Sequence, residues 1–248
     1  MNDPDSPARG PDALDCQVTP VPKLSAAERG RLFELMSRHF DQVDQAQFFA
    51  DLDEKPSVLL LREAASGSIC GFSTITLFET TRGGERLAAV FAGDTVVDPE
   101  YWGHPAWVYA WARYGFALAQ QANADKVYLL LLTSTHRTYR FMPGFFREYY
   151  PRPLVATPAD VQARLDTLVR IKFPDEYDAV RGVVALQRPT PVRDERQLPG
   201  TAPGEHAAER FFLERNPGYL NGDFLTCLAE FTWENLTPLG RRVVSAPT

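Results

Sequence analysis

The sequence predicts a mixed α/β domain in which a mainly antiparallel sheet, flanked by helices, carries a central parallel strand-helix-strand crossover. Three features of the 248 residues point there. Helical periodicity fills 25–52, strand patterns fill 57–97, and a nearly all-apolar helical stretch then leads into the unbroken run Val127-Tyr128-Leu129-Leu130-Leu131-Leu132. An apolar run without alternation is what a strand covered on both faces looks like. Strand, buried helix and buried strand in succession make a right-handed parallel crossover.

In chain order, residues 1–23 hold five prolines and four aspartates without a hydrophobic period, and are expected to be a disordered tail. One domain is then expected over 24–248. Ser25-Ala26-Ala27-Glu28 is a capping box: the serine accepts from the amide three residues on and the glutamate reaches back. The helix it opens has Leu32, Leu35, Met36 and Phe40 on one stripe. A second helix carries Phe48, Phe49 and Leu52 and ends before Pro56. Ser57–Glu63, 69–78 and 86–97 read as strands joined by Gly-containing turns into an antiparallel meander. Pro105 opens the next helix where a missing amide costs nothing, and Trp107, Trp111, Tyr114 and Leu118 form its stripe. After the buried strand, 135–150 has a helical pattern that Pro143-Gly144 must bend or interrupt. An amphipathic helix over 159–171, a short strand over 182–186, a helix over Ala207–Arg215 and a strand over 223–231 complete the order. Between them, 188–204 holds four prolines and two glycines and is expected to be a flexible insertion.

Composition removes several classes. A formal charge of −6 and a pI near 5.3 provide no general basic face for displacing counterions from nucleic acid or anionic lipid. Cys16, Cys70 and Cys227 are odd in number and far apart, so neither a disulfide framework nor a cysteine metal site is expected, and a reducing, cytoplasmic compartment is. No run reaches ~18 apolar residues, and the start Met1-Asn2-Asp3-Pro4-Asp5 lacks the parts of an export leader. His39, His104, His136 and His206 show no i, i+4 pairing, so no metal is expected. P-loop, dinucleotide and nucleophile-elbow motifs do not occur.

The most specific motif is Val96-Val97-Asp98-Pro99-Glu100-Tyr101-Trp102-Gly103. It resembles the strand, loop and helix start written V-x-P-x-Y-R-G in the GNAT superfamily, whose members transfer an acyl group from a thioester to an amine. The element order over 24–151 resembles that family too. What the resemblance implies is a loop whose backbone amides, at a helix N-terminus, receive the pyrophosphate of coenzyme A. It nominates Val97, Trp102, Gly103 and His104, with Thr133, Arg137 and Arg140 across the slot, as donor-binding residues. The implied donor is an acyl-CoA or acyl carrier protein thioester, and the implied acceptor a small amine or amino acid. This chain departs from the pattern: Trp102 stands for the expected arginine, and Pro105 and Trp107 occupy two of the three usual glycine positions. Two readings stay open. Either the loop is a plain connection with Trp102 and Trp107 as core anchors, or the donor is held differently, as in GNAT-like enzymes resembling N-acyl amino acid synthases that draw on acyl carrier protein.

Arg137, Arg140, Arg147 and Arg152 fall within sixteen residues. They could clamp phosphates or meet an acidic carrier, or form a solvated helix face with aromatics inward. The resemblance points to Tyr139, five residues before Gly144 and one off the family spacing, as the acid for the departing thiolate. For the base, Asp94 stands near the end of the apolar strand Val90-Phe91-Ala92-Gly93-Asp94-Thr95-Val96, where burial would raise its pKa; a turn-capping role is the alternative. Glu79 and His104 are further candidates. The functional expectation is an N-acyltransferase, with a catalytically inactive ligand- or partner-binding module as the alternative.

Overall fold

The structure, a computed structural model, describes residues 14–102, 104–189, 191 and 207–245. Its first element corrects the expected tail: Leu14–Pro20 is a strand, β1, paired antiparallel along its whole length. Prolines and aspartates obscure an alternation in which Leu14 and Cys16 turn to the core while Asp15 and Gln17 face out. The tail before residue 14 lies outside the described residues.

Helix α1 (Ala26–His39) starts at the predicted capping box, with both reciprocal bonds present, and α2 (Gln45–Asp53) is capped by Asp44. Strands β2 (Ser57–Glu63), β3 (Ile69–Arg82) and β4 (Glu85–Val97) form the meander, with β3 running four residues beyond its expected end because Glu79 to Arg82 keep pairing at the solvent-facing tip. Helix α3 (Pro105–Ala119) and strand β5 (Lys126–Thr133) complete the crossover, and β4 and β5 are parallel.

The stretch after β5 differs from its helical pattern. It breaks into α4 (His136–Tyr139) and α5 (Phe141–Phe145), and Phe146 onward is extended, bridging to Leu236 and Leu228. The helix stops one residue past Gly144, and the large side chains of Phe146 and Tyr149 bury themselves in the core instead of prolonging a helix face. Next come α6 (Ala159–Lys172), short strands β6 (Tyr177–Asp178) and β7 (Val183–Val184), α7 (Ala207–Arg215), β8 (Phe224–Glu230) and a terminal helix α8 (Pro238–Ser245) that the sequence pattern did not suggest. Most of the expected insertion lies outside the described residues.

One eight-stranded sheet results, in the order β1-β2-β3-β4-β5-β8-β7-β6 and antiparallel except for β4 with β5. Its first face carries α3, α4, α5, α7 and α8 over Leu59, Ile75, Val90, Leu129, Leu131 and Cys227. The second face is shared. Helices α1 and α2 cover Val58, Leu60, Phe72 and Val96, while α6 covers Leu87, Ala89, Phe91, Tyr128 and Leu130. This is the mixed, GNAT-like architecture that the motif order implied. Side chains on β5 are buried on both faces, as the six-residue apolar run required.

Candidate active site

The site begins with one extra residue. Ser73 pairs with Thr95 and Ile75 with Ala92, so Thr74 alone on β3 faces two residues, Gly93 and Asp94, on β4. That is a β-bulge, which bends and twists the strand that carries it. Glycine is needed there, because a Cβ on residue 93 would lie 2.5 Å from Thr74 Oγ1. The parallel ladder between β4 and β5 stops at the same level, its last partners being Ala92 and Leu131. Beyond it β4 continues to Val97 alongside β3, and β5 continues to Thr133 alongside β8. The two strands therefore part into a wedge that opens toward Val97 and Thr133.

Asp94 sits at the apex of that wedge, half-buried and on the side of α2. Burial pushes its carboxyl above the usual aspartate range; Lys55 works against that shift and Asp51 adds to it. Thr74 and Thr76 face the same side, 1% and 8% exposed, and the Oγ1 of each has no hydrogen-bond partner. Lys172, from the end of α6, lies with Nζ 5.3 Å from the Phe78 ring centre, and Phe173 packs on Phe91. One carboxyl and two buried hydroxyls thus share one face of the sheet, next to Phe78, Phe91 and Phe173.

At the open end, the loop after β4 is tied down from several sides. Asp98, 8% exposed, accepts from Arg31 at 3.3 Å and Arg38 at 3.1 Å, and lies 3.4 Å from His39 Nε2, all on α1. Tyr101 donates to Glu63 at 2.6 Å. Trp102 folds back so that its indole Nε1 donates to the Val97 carbonyl at 2.6 Å, and the Arg137 guanidinium lies 5.0 Å over its ring. The pair links the loop that follows β4 to helix α4. His104 caps α3 by accepting from the Ala106 amide at Nδ1, which leaves the neutral ring its proton on Nε2. That Nε2 is buried without a partner. Gly103 lies outside the described residues. Thr133, 1% exposed, donates to the Thr135 carbonyl at 2.7 Å and so shapes the turn into α4.

Tyr139 requires a correction. It is wholly buried among Tyr149, Phe211 and Phe212, its hydroxyl donates to the Pro151 carbonyl at 2.9 Å, and burial holds its pKa far above that of an ordinary phenol. A phenol so placed is a core residue, not a proton donor to a ligand in the wedge. The family spacing was off by one residue, and a one-residue shift on a helix turns the side chain by about a quarter of a circle, here from the slot to the core. The four arginines also part company. Arg137 and Arg140 lie at the open end, while Arg147 lines a groove at the other end of β5 with Lys126, Tyr128 and Glu230, and Arg152 stacks on Tyr150. That groove, of about 670 Å³, has ion-paired walls, Lys126 with Glu230 and Arg164 with Asp160, and is remote from Asp94. Glu79 binds the Asn123 amide on the opposite tip.

Sequence reasoning missed Thr74, Thr76, Lys55, Lys172 and His136. His136 is 8% exposed with Nδ1 unpartnered; burial lowers its pKa, Glu209 opposes that shift, and Arg137 and Arg140 add to it. Two threonines two apart in an apolar strand are visible in the sequence, but only the register shows which face they share. Among the described residues there is no group of His, Cys, Asp and Glu able to hold a metal ion. No helix of the described chain is long and apolar enough to cross a membrane.

By its sheet order and the one parallel pair among the described strands, the chain has a GNAT-like mixed α/β fold. No protein-family model and no curated protein sequence matches it. Among solved structures it is similar to an Enterococcus faecalis protein described as a probable N-acyltransferase, at 17% identity and a TM-score of 0.41, covering 55% of this chain and 33% of that one. A GCN5-related N-acetyltransferase from Kribbella flavida gives 14% identity and a TM-score of 0.40, covering 74% and 55%. A GNAT family N-acetyltransferase from Escherichia coli in complex with CoA gives 19% and 0.38, covering 54% and 68%. The chain thus spans a third of the first of these proteins and about half of the second. Likeness of this size says nothing about activity.

Proposed function

We propose that the chain is an N-acyltransferase that moves an acyl group from a thioester to a small amine. The observation that supports this most is the coincidence at one level of the sheet of three things: the bulge at Gly93 and Asp94, the end of the β4 to β5 ladder, and a half-buried carboxyl of raised pKa. The wedge gives a thioester arm a slot to lie in, and Asp94 waits on the α2 side. The amine nitrogen attacks the thioester carbon, the carbon to sulfur bond breaks as the amide forms, and Asp94 takes the proton that the amine gives up. A raised pKa makes its carboxylate a better base than a surface aspartate. The leaving thiolate needs no buried acid: an ordinary thiol titrates near 8.5, so it departs as the anion and takes its proton from water.

Donor binding is assigned to Trp102, His104, Val97, Thr133, Arg137 and Arg140 at the mouth. His104 caps the start of α3, and Arg137 and Arg140 offer guanidinium charge in place of the expected loop arginine. The same mouth suits an acyl-CoA or an acyl carrier protein thioester, in a single domain working in the cytoplasm. Acyl transfer from acetyl-, octanoyl- and palmitoyl-CoA to a panel of amines, followed by thiol release, is the test. Absence of thiol release with every donor, together with no rise in melting temperature in excess CoA, would sink the reading; tight binding at a hundredfold excess over Kd should add ~2.7 kcal/mol. A second reading, a binding module without catalysis, is favoured by one feature. The Trp102 indole is committed to Val97 and its face to Arg137, so the pair bridges the mouth.

A further inference from the structure

We infer that Trp102 is a gate: its indole, latched by Arg137, closes the mouth of the wedge, and a donor enters only when the side chain swings off the Val97 carbonyl. What passes the gate rests on the transferase reading; the latch stands on geometry alone. The direction of the Val97 carbonyl carries the argument. The Asp98 amide donates to the Cys70 carbonyl at 2.8 Å, so it points at β3. In a planar trans peptide the C=O lies opposite the N–H, so the Val97 carbonyl points away from β3, into the space where the ladder between β4 and β5 has ended. Trp102 Nε1 meets that oxygen at 2.6 Å, which puts the indole inside the opening and not on the outer surface of the loop. Arg137 comes from the other side. It lies in the single turn of α4, just after β5 ends at Thr133, and its guanidinium sits 5.0 Å over the same ring. Ring and guanidinium together span the gap from the end of β4 to the start of α4.

The surroundings decide which part can move. The loop backbone is pinned, since Asp98 is held by Arg31 and Arg38 and lies against His39, while Tyr101 is held by Glu63. The Trp102 side chain is held by much less: one hydrogen bond from its indole, and one contact with an exposed arginine that makes no ion pair among the described residues. Each of these is worth about tenfold or less in population. Rotation of the side chain therefore opens the mouth at small cost and leaves the pinned loop in place. A donor whose phosphate meets Arg137 also draws the guanidinium off the ring, so the charge of the arm helps to release the latch.

The experiment follows both the indole and the rate of entry, on the full chain. W102F removes the N–H while keeping a ring. It should speed CoA association in stopped flow by about threefold to tenfold, the worth of one hydrogen bond, and raise kcat/KM alike for acetyl-CoA and for the neutral S-acetyl-N-acetylcysteamine. Arg137 is not the residue to change here, because it also serves the donor. A second measurement needs no variant to fold. In wild type labelled at its indole nitrogens, saturating CoA should make the Trp102 N–H exchange with solvent about tenfold faster or more, while that of Trp111, bonded to Ser73 Oγ at 3.2 Å in the core, keeps its rate. CoA that binds wild type with Trp102 exchange unchanged or slower, or that enters W102F no faster, would overturn the gate and leave the transferase reading standing. Faster entry into W102F without acyl transfer to any amine would uphold the gate and overturn the transferase. No binding of CoA or of either thioester to wild type or W102F would overturn both.

Discussion

Replacing Thr74 by valine should make the protein more stable and, if the carboxyl beside it serves in acyl transfer as proposed, less active. The side chain is 1% exposed and its Oγ1 has no hydrogen-bond partner. Valine keeps the shape and exchanges the hydroxyl for a methyl, so the change removes a desolvation penalty of ~1–3 kcal/mol that no bond offsets. Part of the gain is lost to the close approach of Gly93, where Oγ1 already occupies the space a Cβ would take and the bulkier methyl is less welcome. A net stabilisation of ~1–2 kcal/mol remains, which for a chain of this size raises the melting temperature by ~2–8 °C. Differential scanning calorimetry of T74V and wild type at one pH and salt decides it. A fall in melting temperature would mean that the hydroxyl is already satisfied, for instance by a bound water, and the argument for an unmet polar group beside Asp94 would go with it. Stabilisation coupled to a drop in acyl transfer is the combination expected of a site where a strained polar group serves a substrate.

Three more outcomes follow from the same geometry. D94N should lower transfer by ~10²–10⁴-fold without lowering stability, because the raised pKa of Asp94 means that its charged form costs the folded state. The sign is that of a raised acid: the wild type loses stability as pH climbs from the ordinary value of 3.8 through the higher folded value and activity rises over the same span, while D94N flattens both profiles in urea titrations and rate assays. R137A should change stability by no more than ~1 kcal/mol, the worth of an exposed cation-π contact, yet weaken donor binding about tenfold in isothermal calorimetry, with a shallower salt dependence than wild type. D98N should cost ~2 kcal/mol in denaturant unfolding, because it strips the charge shared by Arg31, Arg38 and His39; the loss is kept below that of a fully buried pair by the 53% exposure of Arg38.

Local chemistry was legible where a segment's own residues decide its structure. The Ser25 to Glu28 box and the twice-covered β5 both follow from side chains that dictate a backbone state unaided. β1 was hidden because its pattern is diluted by Asp15 and Gln17, and only β2 across the ladder gives those alternating positions a meaning. The split after Arg140 depends on long-range burial: Phe146 meets Leu236 and Tyr150 meets Leu228, partners more than seventy residues away. At the site, Asp94 was conspicuous as a lone carboxylate in an apolar strand, whereas Thr74 acquires a role only through the bulge register. Tyr139 shows the reverse limit, since a motif spacing that is nearly right puts the side chain on the wrong side of a helix.

The strand at the very start of the sheet bears on how the protein can be handled. β2 has Val58, Leu59, Leu60 and Leu61 essentially inaccessible to solvent, and β1 is what satisfies the amides and carbonyls along its outer rim. A version shortened to begin at Leu24 would leave the backbone amides and carbonyls of this apolar strand unpaired on a raw margin. Such a margin recruits a second molecule, so the shortened protein should self-associate even though every helix and every residue around Asp94 is still present.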